Sequence, residues 1–147
     1  MSLAPIVHDL RLACPVEVAF DTYTRRIGEW WPPRFTAHAA TFSGLVVEPG
    51  AGGRVVATYG AQQQESGRVT VWEPTAHLAH TFTLAQPPGT SSHVRVDLRS
   101  VRHGGTALRL EHGGWAPGSD AVRARFAAWP LILSGFAFLA EHPQPEK

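Results

Sequence analysis

The sequence predicts an α+β domain with an antiparallel sheet and a long C-terminal helix. Three observations predict it. Apolar and polar residues alternate with a period of two in a series of runs between residues 41 and 112. Helical periodicity is confined to one segment near each end of the chain. Strands grouped together with helices at the ends argue for α+β with an antiparallel sheet, which is solvated on one face and so alternates cleanly.

The elements follow in order. Ile6, His8, Leu10 and Leu12 alternate with Val7, Asp9 and Arg11, which is a strand with one buried face. Pro15 stops it and suits a first helical turn. Val16, Ala19, Phe20 and Tyr23 recur at helical spacing through Ile27, and Trp30-Trp31-Pro32-Pro33 ends the pattern, because a residue before proline avoids the α region. Phe42 to Val47 and Arg54 to Tyr59 are the next strands, joined by the hairpin composition Pro49-Gly50-Ala51-Gly52-Gly53. Gly67 to Trp72 and Leu78 to Leu84 form another pair, with Leu78, His80, Phe82 and Leu84 on one face. Gln86 to Ser92 reads as a polar loop and a candidate mobile rim. Val94, Val96 and Leu98 then alternate with arginine and aspartate, His103-Gly104-Gly105 turns the chain, and Leu108, Leu110 and His112 alternate with Arg109 and Glu111.

Gly113-Gly114 breaks that strand, and Ser119 or Asp120 can cap a helix by accepting an early backbone N–H. Val122, Phe126, Trp129, Leu133, Phe136 and Ala140 form a continuous apolar stripe. Pro130 lies inside it and should clash with the carbonyl of Phe126, so a kink or a restart is expected there. Leu131, Ile132, Phe138 and Leu139 make the second half apolar on most sides. It is expected to be sandwiched against the N-terminal helix or to meet another subunit, which leaves a homodimer open.

The bulk properties exclude several classes. At 147 residues the chain is expected to form one domain, residues 1–147. The formal charge of +1, with no basic stripe, argues against nucleic-acid binding. The one cysteine, Cys14, leaves no intrachain disulfide, and the expectation is a half-buried thiol. Met1-Ser2-Leu3-Ala4 lacks the pattern of a signal peptide. The longest apolar run, Leu131 to Ala140, falls short of the roughly 20 residues that span a bilayer. A soluble, cytoplasmic protein without a membrane partner is expected.

Chemical motifs are sparse. The sequence has no H-E-x-x-H, no C-x-x-C and no P-loop, and Ser134 lacks a G-x-S-x-G elbow. None of the 8 histidines pairs at the i, i+4 spacing of helical metal ligands, so neither a metal nor a cofactor is expected. His80, His112 and Glu111 are the candidate acid–base groups, although Arg109 and Glu111 face water if Leu108 and Leu110 face the helix. Five tryptophans have few places to go except a shared interior. Trp31, Phe42, Trp72, His80, Phe82, His112, Trp115, Trp129, Leu133 and Phe136 are the residues expected to border any pocket in that interior.

Several local patterns resemble the family named after the activator of the Hsp90 ATPase, within the START-like or Bet v 1-like superfamily. Cys14-Pro15-Val16-Glu17-Val18-Ala19-Phe20 followed by Trp30-Trp31 resembles its strand, "P-x-x-x-x-F" and helix-ending tryptophan pair. Glu48-Pro49-Gly50 with Gly52-Gly53 resembles its glycine hairpin. Gly67-Arg68-Val69 with Val71-Trp72-Glu73-Pro74 is similar to "G-x-V-x-x-x-x-P", and Leu78 to Leu84 to the strand after it. Gly105-Thr106 through Leu110, His112 and Gly113 is similar to "G-T-x-L-x-L-x-H-x-G", and Trp129, Leu131 and Leu133 to the final helix. One departure is Ala128 where the family often has glycine, with Pro130 following Trp129. The resemblance implies a helix-grip fold, with a sheet of about six strands holding the C-terminal helix. It also implies a cavity for a small apolar molecule. Its alternatives are a cyclase, dehydratase or hydrolase acting through pocket histidines or acids, and a co-chaperone or protein-interaction module of the Hsp90 type.

Overall fold

The computed structural model describes residues 4–83, 91–115 and 119–142. The chain runs β1 (Ile6–Leu12), α1 (Val16–Thr24), α2 (Ile27–Trp30), β2 (Phe42–Val47), β3 (Arg54–Tyr59), β4 (Gln62–Glu73), β5 (His77–Phe82), β6 (Ser92–Val101), β7 (Gly105–Gly113), α3 (Asp120–Phe126) and α4 (Trp129–Glu141). All seven strands join one sheet in the order β1-β7-β6-β5-β4-β3-β2, and every pairing is antiparallel. The helix-grip architecture is therefore present, with seven strands rather than six.

β4 is the reason the sheet can curl. At 12 residues it is the longest strand, and it pairs out of step with both neighbours. Ser66 is an extra residue against β3, and Thr70 is an extra residue against β5. Each such bulge bends its strand and increases the local twist. Gly67 lies between the two bulges, where a Cβ would stand 2.0 Å from the carbonyl oxygen of Thr81. Only glycine lets the strands come this close.

The inner face buries Leu78, Val94, Val96, Leu98, Leu108 and Leu110 beneath the helices. The whole stripe Val122, Phe126, Trp129, Leu133, Phe136 and Ala140 is buried, as its spacing predicts. Proline inside that pattern produces a restart. α3 ends at Phe126, two non-helical residues intervene, and α4 begins with Pro130 in its first turn, where a missing N–H removes no intrahelical bond. The whole segment Asp120–Glu141 is 22 residues and long and apolar enough to cross a membrane by composition, but it is broken after Phe126 and turns one buried stripe to the sheet.

Three expectations change in detail. The first helical pattern divides into α1 and the one-turn α2. Ser119 occupies the N-cap position of α3, but no side chain caps that end. Ser92 belongs to β6 rather than to a loop. Leu84 and residues 86–90 of the expected rim lie outside the described residues.

Candidate functional site

Antiparallel register places two histidines in one inward row. Across β1, β7, β6, β5 and β4 the row reads Ile6, His112, Val94, His80, Val69. With strands about 4.8 Å apart, the two histidine backbones stand roughly 10 Å apart on either side of Val94. Both side chains are almost completely buried.

An aromatic shell surrounds this row. Trp31 packs on Phe82 and on Trp129, both at 5.6 Å between ring centroids. The His112 ring meets Trp115 at 4.2 Å, Phe126 at 4.9 Å, Trp129 at 5.7 Å and Phe82 at 5.9 Å. Toward the other histidine, Tyr23 lies 5.4 Å from Trp30 and 5.8 Å from Phe136, and Phe82 lies 5.4 Å from His80. Rings from α1, α2, β5, β7, α3 and α4 thus meet in one interior.

Hydrogen bonds fix the state of His112. The Trp129 indole Nε1–H, which can only donate, points to His112 Nδ1 at 3.0 Å. Nδ1 must therefore be the bare nitrogen, and the proton sits on Nε2. That Nε2–H donates to Ser92 Oγ at 2.6 Å, and Ser92 Oγ–H donates in turn to the carbonyl of Phe82 at 3.2 Å. Burial holds the His112 pKa down at about 3, with nearby His80 adding to the effect. A Ser–His pair built for nucleophilic attack runs the other way, with the histidine accepting the serine proton. Here Ser92 has no proton acceptor in His112, so the pair is structural.

His80 differs. Its Nδ1–H donates to the Thr81 carbonyl at 3.0 Å, which leaves Nε2 as a bare acceptor. Burial lowers its pKa to about 4. Neither His80 Nε2 nor the Tyr23 hydroxyl has a hydrogen-bond partner among the described residues, although both atoms are fully buried. Burial also pushes the Tyr23 phenol well above its ordinary pKa, so it remains a neutral O–H.

The structure brings Trp31, His80, Phe82, His112, Trp115, Trp129, Leu133 and Phe136 together in this interior, all of them buried. Phe42 and Trp72 are half-buried and stand apart from the rings around His112, Phe42 against Tyr59 and Trp72 against Phe20. Glu111 and Arg109 are exposed on the outer face. Tyr23, Trp30, Ser92 and Phe126 share this interior without having been singled out for it. The helical spacing of Tyr23 and Phe126 carried a signal for burial, whereas Ser92 carried none. Two depressions, of about 640 and 310 Å³, lie among outward-facing residues such as Arg11, Arg99, Arg109, Arg95 and Glu111. Their walls are charged and open to water, unlike the aromatic interior. Among the described residues, no group of three His, Cys, Asp or Glu side chains is placed to hold a metal ion.

Comparison with known proteins agrees with this architecture. No curated protein matches the chain in sequence. The fold is similar to that of protein MLL2253 from Mesorhizobium loti (TM-score 0.75, 22% identity, 96% of this chain and 99% of that one). It is also similar to the Aha1 dimer from Colwellia psychrerythraea (TM-score 0.69, 14% identity, 97% and 100%). A third similar structure is the anthrahydroquino-γ-pyrone synthase Txn09 complexed with SUM (TM-score 0.59, 25% identity, 93% and 97%). The family model described as activator of Hsp90 ATPase homolog 1-like protein matches residues 13–141, nearly the whole chain. The chain belongs to the activator of Hsp90 ATPase homolog 1-like family.

Proposed function

We propose that this chain, acting as one domain, binds a small, largely apolar ligand between the inner face of the sheet and α4. One observation carries the reading. The interior is built of aromatic rings from six elements and carries few polar groups, and its two histidines are held neutral by burial. Apolar walls with a few fixed polar groups are the usual makeup of small-molecule sites. Family membership supports the same reading, because this fold typically holds small hydrophobic ligands. Native mass spectrometry of protein purified from its source host tests it. The expected result is a co-purifying small molecule released on denaturation, and a spectrum of the bare chain alone from every preparation would count against it.

A second reading is an enzyme of the cyclase, dehydratase or hydrolase kind. Similarity to the synthase Txn09 and the bare His80 Nε2 favour it. With a pKa near 4, however, His80 is a weak base at neutral pH, and Glu111 is too exposed to serve the interior. The similar Aha1 structure is a dimer, and Leu131 and Phe138 expose 49% and 62% of their surface two turns apart on α4. We therefore place the contact of a homodimer on that outward stripe, which sedimentation of Phe138→Glu tests by a shift toward monomer.

A further inference from the structure

We infer that the ligand carries a hydroxyl group seated between the Tyr23 phenol and His80 Nε2. The inference rests on the binding reading above and deepens it. Its evidence is separate, because it comes from two buried polar atoms that have no hydrogen-bond partner among the described residues.

Buried polar groups in folded proteins almost always find a partner, and each exception calls for an explanation. Among the described residues the exceptions are two, and the rings that carry them are neighbours. Tyr23 reaches the interior from α1 and His80 from β5, with ring centroids 6.5 Å apart. The two atoms do not bond to each other, and the rings that carry them face each other between α1 and β5. The surroundings are aromatic. Phe136 and Trp30 lie against the Tyr23 ring, and Phe82 lies against the His80 ring.

The chemistry of the missing partner follows from what each atom offers. His80 Nδ1–H is committed to the Thr81 carbonyl, so Nε2 can only accept. Tyr23 has a proton to donate. A ligand group that fits must donate to His80 and accept from Tyr23. A hydroxyl does both with one oxygen. A ketone or ether can satisfy Tyr23 only, leaving His80 Nε2 facing another lone pair. A carboxylate has the same fault and would bring an unpaired charge into an apolar interior. A hydrocarbon satisfies neither atom. Sites built to bond a ligand hydroxyl discriminate strongly against the analogue lacking it, because their own buried groups are then left unpaired.

Three bicyclic probes of similar size separate these cases: naphthalene, 2-methoxynaphthalene and 2-naphthol. Each is titrated by calorimetry against the full chain, and against Tyr23→Phe and His80→Phe. The expected result is that the wild type binds 2-naphthol more tightly than either other probe by about tenfold or more. In each variant that preference should shrink to within about twofold while naphthalene binding persists. Equal binding of all three probes by the wild type would overturn the hydroxyl inference and leave apolar binding standing. Failure of every probe to bind would overturn both. Thermal unfolding without ligand reports on folding of the variants, and Tyr23→Phe should melt higher than the wild type because it deletes an unpartnered buried donor.

Discussion

The Trp129 indole N–H donates to His112 Nδ1 at 3.0 Å, joining the first turn of α4 to the inward face of β7. This one bond sets the histidine tautomer and so the direction of the chain that runs through Ser92 to the Phe82 carbonyl. It also explains why a serine and a histidine in close contact do not form a nucleophile.

Trp129→Phe removes the donor and leaves His112 Nδ1 buried and bare. The expected cost is about 1–3 kcal/mol for the orphaned acceptor, with further loss from the smaller ring. Denaturant unfolding checks the stability, and imidazole nitrogen NMR checks that the Nε2–H form loses its dominance. Because His112 Nε2 carries its proton and offers Ser92 no base, a serine-directed fluorophosphonate should not label the wild type.

Stability should begin to fall as the pH drops below 6.5. His80 and His112 have pKa values of about 4 and 3 in the fold, below the 6.5 of an unperturbed histidine. As pH falls below 6.5 the unfolded chain takes up protons that the folded chain refuses. Stability is therefore full above pH 6.5 and is lost progressively as pH falls toward 4 and then 3. Each histidine adds a slope approaching 1.4 kcal/mol per pH unit, on the order given by one proton. Urea melts at pH 7, 6 and 5 measure it, and His80→Phe should remove about one proton of the dependence. A flat profile between pH 6.5 and 5 would contradict the burial of both rings.

Gly67→Ala should be among the most damaging small substitutions in the sheet. Its Cβ would fall 2.0 Å from the Thr81 carbonyl oxygen and 2.9 Å from the carbonyl carbon, which are backbone atoms and cannot swing aside. A loss of about 2–4 kcal/mol is expected. Gly44→Ala is the control, since a Cβ there meets nothing within 4 Å. It should change stability by no more than about 0.5 kcal/mol. Equal effects of the two substitutions would show that the close approach of β4 and β5 is not tight.

Glu141, the last residue of α4, accepts the backbone N–H of Ala13 at 2.7 Å, across 128 positions of sequence. It ties the end of the helix to the turn between β1 and α1. Glu141→Ala should cost about 1 kcal/mol. The same carboxylate adds to burial in raising the Cys14 thiol pKa, so Cys14 should react slowly with a disulfide reagent at pH 8 and somewhat faster in Glu141→Gln.

The parity of the strands made the inner face legible from the sequence. His80 follows Leu78 by two residues and His112 follows Leu110 by two, so each had to share its leucine's face once that face was buried. The single row that holds both was not legible, because it depends on register carried across three strands. The bulges at Ser66 and Thr70 left no pattern either. β4 begins with Gln62-Gln63-Gln64, which has no apolar alternation, and it is held by its hairpin with β3 rather than by burial. Ser92 was hidden by the Ser/Gly/Pro composition just before it. Pro130 announced an interruption, but either a kink or a restart could satisfy its missing N–H. The unpaired state of Tyr23 and His80 arises only when α1 and β5 meet, so no local pattern could carry it.

The indole N–H resonances of the five tryptophans give the most direct test of ligand binding between the sheet and α4. In a nitrogen–proton correlation spectrum titrated with 2-naphthol, the signals of Trp30, Trp31 and Trp129 should shift in a saturable way, and that of half-buried Trp72 should move least. If saturating probe leaves the signals of Trp30, Trp31 and Trp129 in place, or moves only Trp72, the interior does not hold the ligand and the account is contradicted.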